Sequence, residues 1–347
     1  RERRDPRMPV PGRPDRPRCP ERVPVAVVSS AWVFSTYDLD LSLTYENADQ
    51  MTKAWRTFDR EFGADAVVPS LSSTVIPSYF GTTWKFPKRG FPMLLEPAVK
   101  DVSELDSLTW DDILEDQHVR AATEHVKQLV EQFGNERCIW FMTTGPLSNA
   151  ARIVETQFLM ECFIEDPEFV RSLFRLSMES FKAVTEPVLE LGVDVMDFSS
   201  SPGSPDLISP RMYREFFWEF DRELVQWIQS KGARAVFHIC GDTMRIVENM
   251  KDTGADGLSV DSMLNLSTAR DVIGRTALVG NLDPANVLMN GTPSMVREES
   301  MKAMRTGGLD GAFVLAPGCD VPPTCPKDNI LAMIQAAKQD GIYPLEP

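Results

Sequence analysis

The sequence predicts an α/β protein built as a (β/α)8 TIM barrel, and three observations carry that prediction. Short β-branched apolar runs recur eight times, at 25–29, 64–68, 138–143, 193–198, 233–239, 257–261, 277–280 and 312–316. Continuous apolar runs of that length are the pattern of parallel strands buried on both faces. Helical patterns separate them, at 46–62, 119–133, across 148–191, and at 210–231, 243–253, 267–273, 293–306 and 327–340. No Gly-rich turn follows the first run, so an open dinucleotide-binding sheet lacks its main support. A chain of 347 residues is long for one ordinary domain of ~100–200 residues but suits one barrel with an insertion.

Taken in order, residues 1–24 form a Pro/Arg-rich N-terminal arm, with eight Arg, four acids and seven Pro. Proline at that density blocks helix and sheet, so an extended tail is expected. The barrel domain then spans 25–347. The stretch 69–135, after the second strand, is too long for a loop and one helix and carries Tyr79, Phe80, Trp84, Phe86 and Phe91. It is expected to cap the C-terminal face, where barrel enzymes place their sites. Ser209-Pro210 and Thr292-Pro293 each set a capping hydroxyl before a proline at the first helical position. Gly232, Gly254 and Gly341 mark helix ends or the turns after them.

Composition narrows function. No apolar run approaches the ~18–20 residues of a membrane span, and Lys+Arg 36 against Asp+Glu 51 leaves −15, which argues against general nucleic-acid binding. The charge divides unevenly: the arm is positive, and the remainder holds 28 basic and 47 acidic residues, a balance of −19. Six Cys in a chain of this size with no apolar signal segment point to a reducing, cytoplasmic compartment rather than a disulfide framework.

With only three His and six Cys, two such residues falling together stand out. The fifth strand ends Val236-Phe237-His238-Ile239-Cys240. Residues two apart on a strand project to one side, so His238 and Cys240 face one point at the C-terminal rim. The eighth strand runs into Gly318-Cys319, which brings a third donor to the same mouth. One imidazole and two thiolates with a position left open make a catalytic rather than a structural zinc arrangement, and zinc is the metal expected. A thiol entering the open position would be held as its thiolate, the nucleophilic form. The alternative is a buried Cys pair and a hydrogen-bonded core His. Among rim carboxylates, Asp197 and Asp283 are the leading candidates to bind the cofactor or orient His238, with Asp261 beside them; each would also serve as a loop or helix cap. His118 and His125 fall on a predicted surface helix and read as solvated. Cys138 and Cys162 read as core, and Cys325 as a turn residue.

At these residues the chain resembles the uroporphyrinogen decarboxylase superfamily, and within it the branch of zinc-dependent methylcobalamin:coenzyme M methyltransferases. Arg22-Val23-Pro24-Val25, Gly145-Pro146-Leu147-Ser148-Asn149-Ala150, Asp206-Leu207-Ile208-Ser209-Pro210, and Gly280-Asn281-Leu282-Asp283-Pro284 followed by Gly291-Thr292-Pro293 carry the likeness. Its most specific element is His238-x-Cys240 with Gly318-Cys319.

The resemblance implies a barrel fold, His238, Cys240 and Cys319 as zinc ligands, and a mouth to which a corrinoid-binding protein presents a methylated corrinoid (methylcobalamin). A small thiol such as coenzyme M would then take the methyl group from Co(III), and Co(I) would leave. Ser200 stands where an acidic residue is expected, which leaves the fourth ligand open between Asp197 and water. Ser30-Ala31-Trp32-Val33-Phe34-Ser35 stands where a decarboxylase would carry its Arg-rich carboxylate-binding motif, which counts against porphyrinogen decarboxylation. Methyl transfer from a donor to the corrinoid protein, transfer from methylcorrinoid to tetrahydrofolate, and zinc-dependent opening of an epoxide by a thiol remain as alternatives.

Overall fold

The computed structural model describes residues 21–87, 90–308 and 311–345. Most of the expected arm, residues 1–20, lies outside them. The fold is α/β. Seven parallel strands form one curled sheet in the order β1 (Ala66–Val67), β4 (Cys138–Thr144), β5 (Val195–Ser199), β6 (Arg234–Ile239), β7 (Gly257–Val260), β8 (Ala277–Leu282) and β9 (Phe313–Pro317). A separate antiparallel hairpin joins β2 (Thr83–Lys85) to β3 (Met93–Glu96). The strands are apolar because helices cover one face, where Phe198 and Phe237 stack with ring centroids 5.0 Å apart, and the other turns inward.

Seven of the eight expected strands form, shifted by two residues or fewer at either end. The first does not. Val25 makes a single parallel bridge to Leu315, and from Ser30 to Thr36 the chain is helical. The Ser29 hydroxyl accepts from the Trp32 amide at 3.4 Å, so a capping serine opens the helix directly after the extended segment. The short segment still spans the two sheet edges. Ala26 N–H donates to Leu315 O at 3.0 Å and Leu315 N–H to Pro24 O at 2.9 Å, while Asp65 N–H donates to Val25 O at 3.1 Å. Asp65 reinforces the join: its carboxylate accepts from Val25 N–H at 2.8 Å and from both terminal nitrogens of Arg22 at 2.8 and 2.7 Å.

The expected helical region 148–191 resolves into Pro146–Ile153, Thr156–Glu165 and Pro167–Glu190. Glu155, with φ +71°, ends the first, and Asp166-Pro167 opens the third, the Asp166 carboxylate accepting from Phe169 N–H at 3.0 Å. Ser209 and Thr292 cap as expected, accepting from Met212 and Met295 amides. His125 departs from expectation: on the helix Gln117–Phe133 it is fully buried, with Nδ1 2.8 Å from the Thr52 hydroxyl. The apolar face of that helix is wider than its hydrophobic spacing indicates, and a small polar partner lets an imidazole lie within it.

Between β1 and that helix lie the helix Val75–Phe80, the hairpin, and two 3-10 turns, Val102–Ser107 and Ile113–Glu115. Trp84 in β2 donates its indole N–H to the Ser78 hydroxyl at 2.9 Å, tying the hairpin to the helix. Among the described residues no helix is long and apolar enough to cross a membrane.

Candidate metal centre

Parallel strands end on one side of their sheet, so the last residues of β5, β6 and β7 come level: Ser199 pairs with His238, and His238 with Ser259. His238 Nε2 lies 3.3 Å from Cys240 Sγ, the same-side projection expected of residues two apart. Cys319, just past β9, brings its Sγ to 3.9 Å from that of Cys240. Gly318 makes this approach feasible, because a Cβ there would sit 2.6 Å from the Ser262 amide nitrogen. The donor atoms of His238, Cys240 and Cys319 all lie within 4.8 Å of one another.

That spacing fits a tetrahedral ion. Donors held ~2.0–2.3 Å from zinc stand about 3.5–3.8 Å apart, close to the distances found. The imidazole is oriented for the purpose. Its Nδ1 faces Ser259 O at 3.1 Å and the Ser259 hydroxyl at 3.2 Å, an arrangement that holds the Nδ1 proton and aims Nε2 at the sulfurs. Burial opposes the charged form of His238, but the Cys240 sulfur and the Asp197 carboxylate outweigh it and push it up to about 9. The two sulfurs share a proton: a hydrogen bond from Cys319 and the His238 charge pull the Cys240 thiol down, and Cys319 is pushed up in turn.

The three donors line a cavity of about 430 Å³. Its wall includes Trp84, Phe86 and Phe91 from the hairpin, together with Asp197, Arg152 and Asp320. Asp197 is 3 % exposed and accepts from the Trp140 indole at 3.1 Å. Burial pushes its carboxyl up to about 7 against the pull of His238 and Trp140. It is not part of the three-donor group. Ser201 touches that group, its hydroxyl 3.7 Å from Cys240 Sγ.

Asp283 and Asp261 are caps. Asp283 accepts from the Ala285 and Asn286 amides, both at 2.8 Å, at the start of the wide turn Pro284–Met289, and is absent from the cavity wall. Asp261 accepts from Gly241 N–H at 3.0 Å and Met263 N–H at 3.1 Å, fixing the backbone just after Cys240. Cys325 is buried, its Sγ 3.1 Å from Leu288 O. Ser259 and Arg152 were not singled out from the sequence. Strand register alone would have found Ser259 opposite His238; nothing local marks Arg152 as inward-facing.

Residues 20–339 match the family model described as Uroporphyrinogen decarboxylase (URO-D). The chain belongs to the uroporphyrinogen decarboxylase family. Among curated relatives of this family member, the methylcobamide:CoM methyltransferase MtbA of Methanosarcina acetivorans is 29% identical over 247 residues, 71% of each chain. The methylcobamide:CoM methyltransferase MtaA of Methanosarcina barkeri is 31% identical over 227 residues, 65% of each. A uroporphyrinogen decarboxylase of Thermus thermophilus is 28% identical over 151 residues, 43% of this chain and 42% of that protein. The solved structure of a methyltransferase from Methanosarcina mazei superposes with a TM-score of 0.83 at 24% identity, covering 92% of this chain and 94% of that one, which shows the shared fold.

Proposed function

We propose that this chain is a zinc-dependent methyltransferase that moves a methyl group from a methylated corrinoid, presented by a corrinoid-binding protein, to a thiol such as coenzyme M. The observation that carries it is the convergence of His238, Cys240 and Cys319 in the wall of the cavity. The relatives named for methyl transfer to CoM support the choice of reaction.

His238, Cys240 and Cys319 would hold the ion, and zinc there supplies the positive centre that keeps an incoming thiol deprotonated near neutral pH. Ser259 fixes the His238 ring. Asp261 fixes the turn behind Cys240. Trp84, Phe86 and Phe91 lower the polarity around the acceptor sulfur, which strips water from the nucleophile. At about 430 Å³ the cavity is of small-molecule size. It takes the thiol, and the corrinoid macrocycle meets it at the mouth. Arg152 is the one Arg or Lys among the described wall residues, too few cations for a porphyrinogen with several carboxylates, so decarboxylation is disfavoured.

Protein prepared without oxygen should carry about one zinc per chain and demethylate free methylcobalamin with a small thiol. Cys240→Ala and Cys319→Ala should each lose the metal and lower the rate at least 100-fold. A wild-type protein without zinc, or a cysteine variant with unchanged rate, would contradict the reading, as would turnover with tetrahydrofolate and with no thiol.

A further inference from the structure

A methyl group delivered to the cavity would meet more than one thiolate. Besides the acceptor there are the sulfurs of Cys240 and Cys319, and a thiolate is a nucleophile whether it belongs to substrate or to protein. Some feature has to favour the acceptor. Among the described residues, three atoms touch the Cys240 sulfur: His238 Nε2 at 3.3 Å, the Ser201 hydroxyl at 3.7 Å and Cys319 Sγ at 3.9 Å. As metal ligands, His238 would be neutral with its Nε2 lone pair committed, and both sulfurs would be deprotonated. The Ser201 hydroxyl is then the one of the three neighbours that still has a proton to donate.

That hydroxyl is held in place. Ser201 opens the 3-10 turn Ser201–Gly203, just past β5. Its N–H donates to the Ser148 hydroxyl at 2.9 Å, which donates in turn to Ser199 O at 3.0 Å. The far end of the turn is fixed to the same cysteine, because Ser204 N–H donates to Ser201 O at 3.1 Å and the Ser204 hydroxyl donates to Cys240 O at 2.9 Å. Among the described residues the Ser201 hydroxyl has no hydrogen-bond partner other than the Cys240 sulfur. A hydrogen bond to a metal-bound thiolate draws charge from the sulfur and makes it less nucleophilic.

We propose that Ser201 donates to the Cys240 sulfur in the metal-loaded protein and so directs the methyl group to the acceptor, by making the ligand sulfur the poorer nucleophile. This rests on the thiol-acceptor reading above. Ser201 touches no reacting atom and acts through Cys240. In the stray reaction a lone pair of the Cys240 sulfur forms the new S–C bond, and the electron pair of the broken bond leaves with cobalt or, for a simple alkylating agent, with iodide. The methylated sulfur is no longer an anionic ligand.

The test treats zinc-loaded protein with methyl iodide, with no corrinoid present, and locates the added methyl group by peptide mass. Ser201→Val and Ser201→Thr have side chains of one shape and differ in the hydroxyl. At saturating metal, Cys240 should be methylated about tenfold faster in Ser201→Val than in the wild type, and Ser201→Thr should restore the slow rate. With cobalt(II) in place of zinc, the sulfur-to-metal charge-transfer band should move to longer wavelength in Ser201→Val and return in Ser201→Thr, a signature that packing alone would not produce. Equal rates or equal bands in Ser201→Val and Ser201→Thr overturn the assignment and leave the thiol-acceptor reading standing, since neither measurement involves an acceptor. Wild-type protein that demethylates methylcobalamin with no thiol present overturns the reading itself, and this assignment with it.

Discussion

His125 and His238 are both buried imidazoles, and their surroundings send them in opposite directions. Beside His238 stand two sulfurs and a carboxylate. Beside His125 stands one threonine hydroxyl, and its Nε2 has no hydrogen-bond partner among the described residues. Burial alone pulls His125 down to about 3. Below its ordinary value near 6.5 the unfolded chain takes up a proton that the folded chain refuses, so stability falls as the pH drops from about 6.5 toward 3. The contribution lost is on the order of 5 kcal/mol. In urea titrations from pH 7 to pH 4, His125→Gln should flatten the acid side of the stability curve; an unchanged slope would show that His125 is not its source. Ser259→Ala is a milder change, because the Ser259 carbonyl still accepts from His238 Nδ1 at 3.1 Å. Zinc should remain stoichiometric, with affinity lowered less than about tenfold, and competition with a chelator would measure it.

At the scale of elements, the join between the sheet edges relies on Asp65 more than on strand pairing. The Arg22–Asp65 pair is partly exposed and by itself contributes little. Val25, however, is fully buried, and Asp65 is the acceptor for its amide. Asp65→Ala should cost about 1–3 kcal/mol, since the amide is left without a partner, and a shift in urea midpoint would report it. A loss no larger than that of Arg22→Ala would mean that the exposed pair, not the buried amide, sets the stability. The sequence pattern made seven strands legible because a strand buried on both faces must be continuously apolar. It added the first because 25–28 satisfies the same criterion, although in the fold Val25 makes only one bridge, to Leu315. The convergence of His238 and Cys240 was legible for a related reason: alternation on β6 fixes both to one side. Arg152 was not, because which way a helical arginine points depends on packing that no local pattern encodes. Asp283 stayed open between two roles because a carboxylate that caps a helix and one that faces a cavity occupy the same place in the chain.

Across the whole molecule, the proposed ligands come from strands that are not neighbours. β6 and β9 are separated by β7 and β8, so an ion held by Cys240 and Cys319 would pin two distant parts of the sheet to each other. Binding of that kind stabilises by mass action, by about 4 kcal/mol at a thousandfold excess over Kd. Chelator treatment should therefore lower Tm by several degrees, and zinc should restore it; in Cys319→Ala the chelator should have no effect. A Tm indifferent to chelator in the wild type would mean that the donors do not bind metal tightly.

The joined edges have a practical side. Val23 N–H donates to Gly341 O at 2.8 Å and Tyr343 N–H to Glu21 O at 2.9 Å, so residues 21 and 343 are neighbours at the end of the sheet opposite the cavity. A short linker between those two positions would join the two ends without touching the residues that line the cavity. A surface tether attached at the same place would leave the cavity mouth turned toward solution.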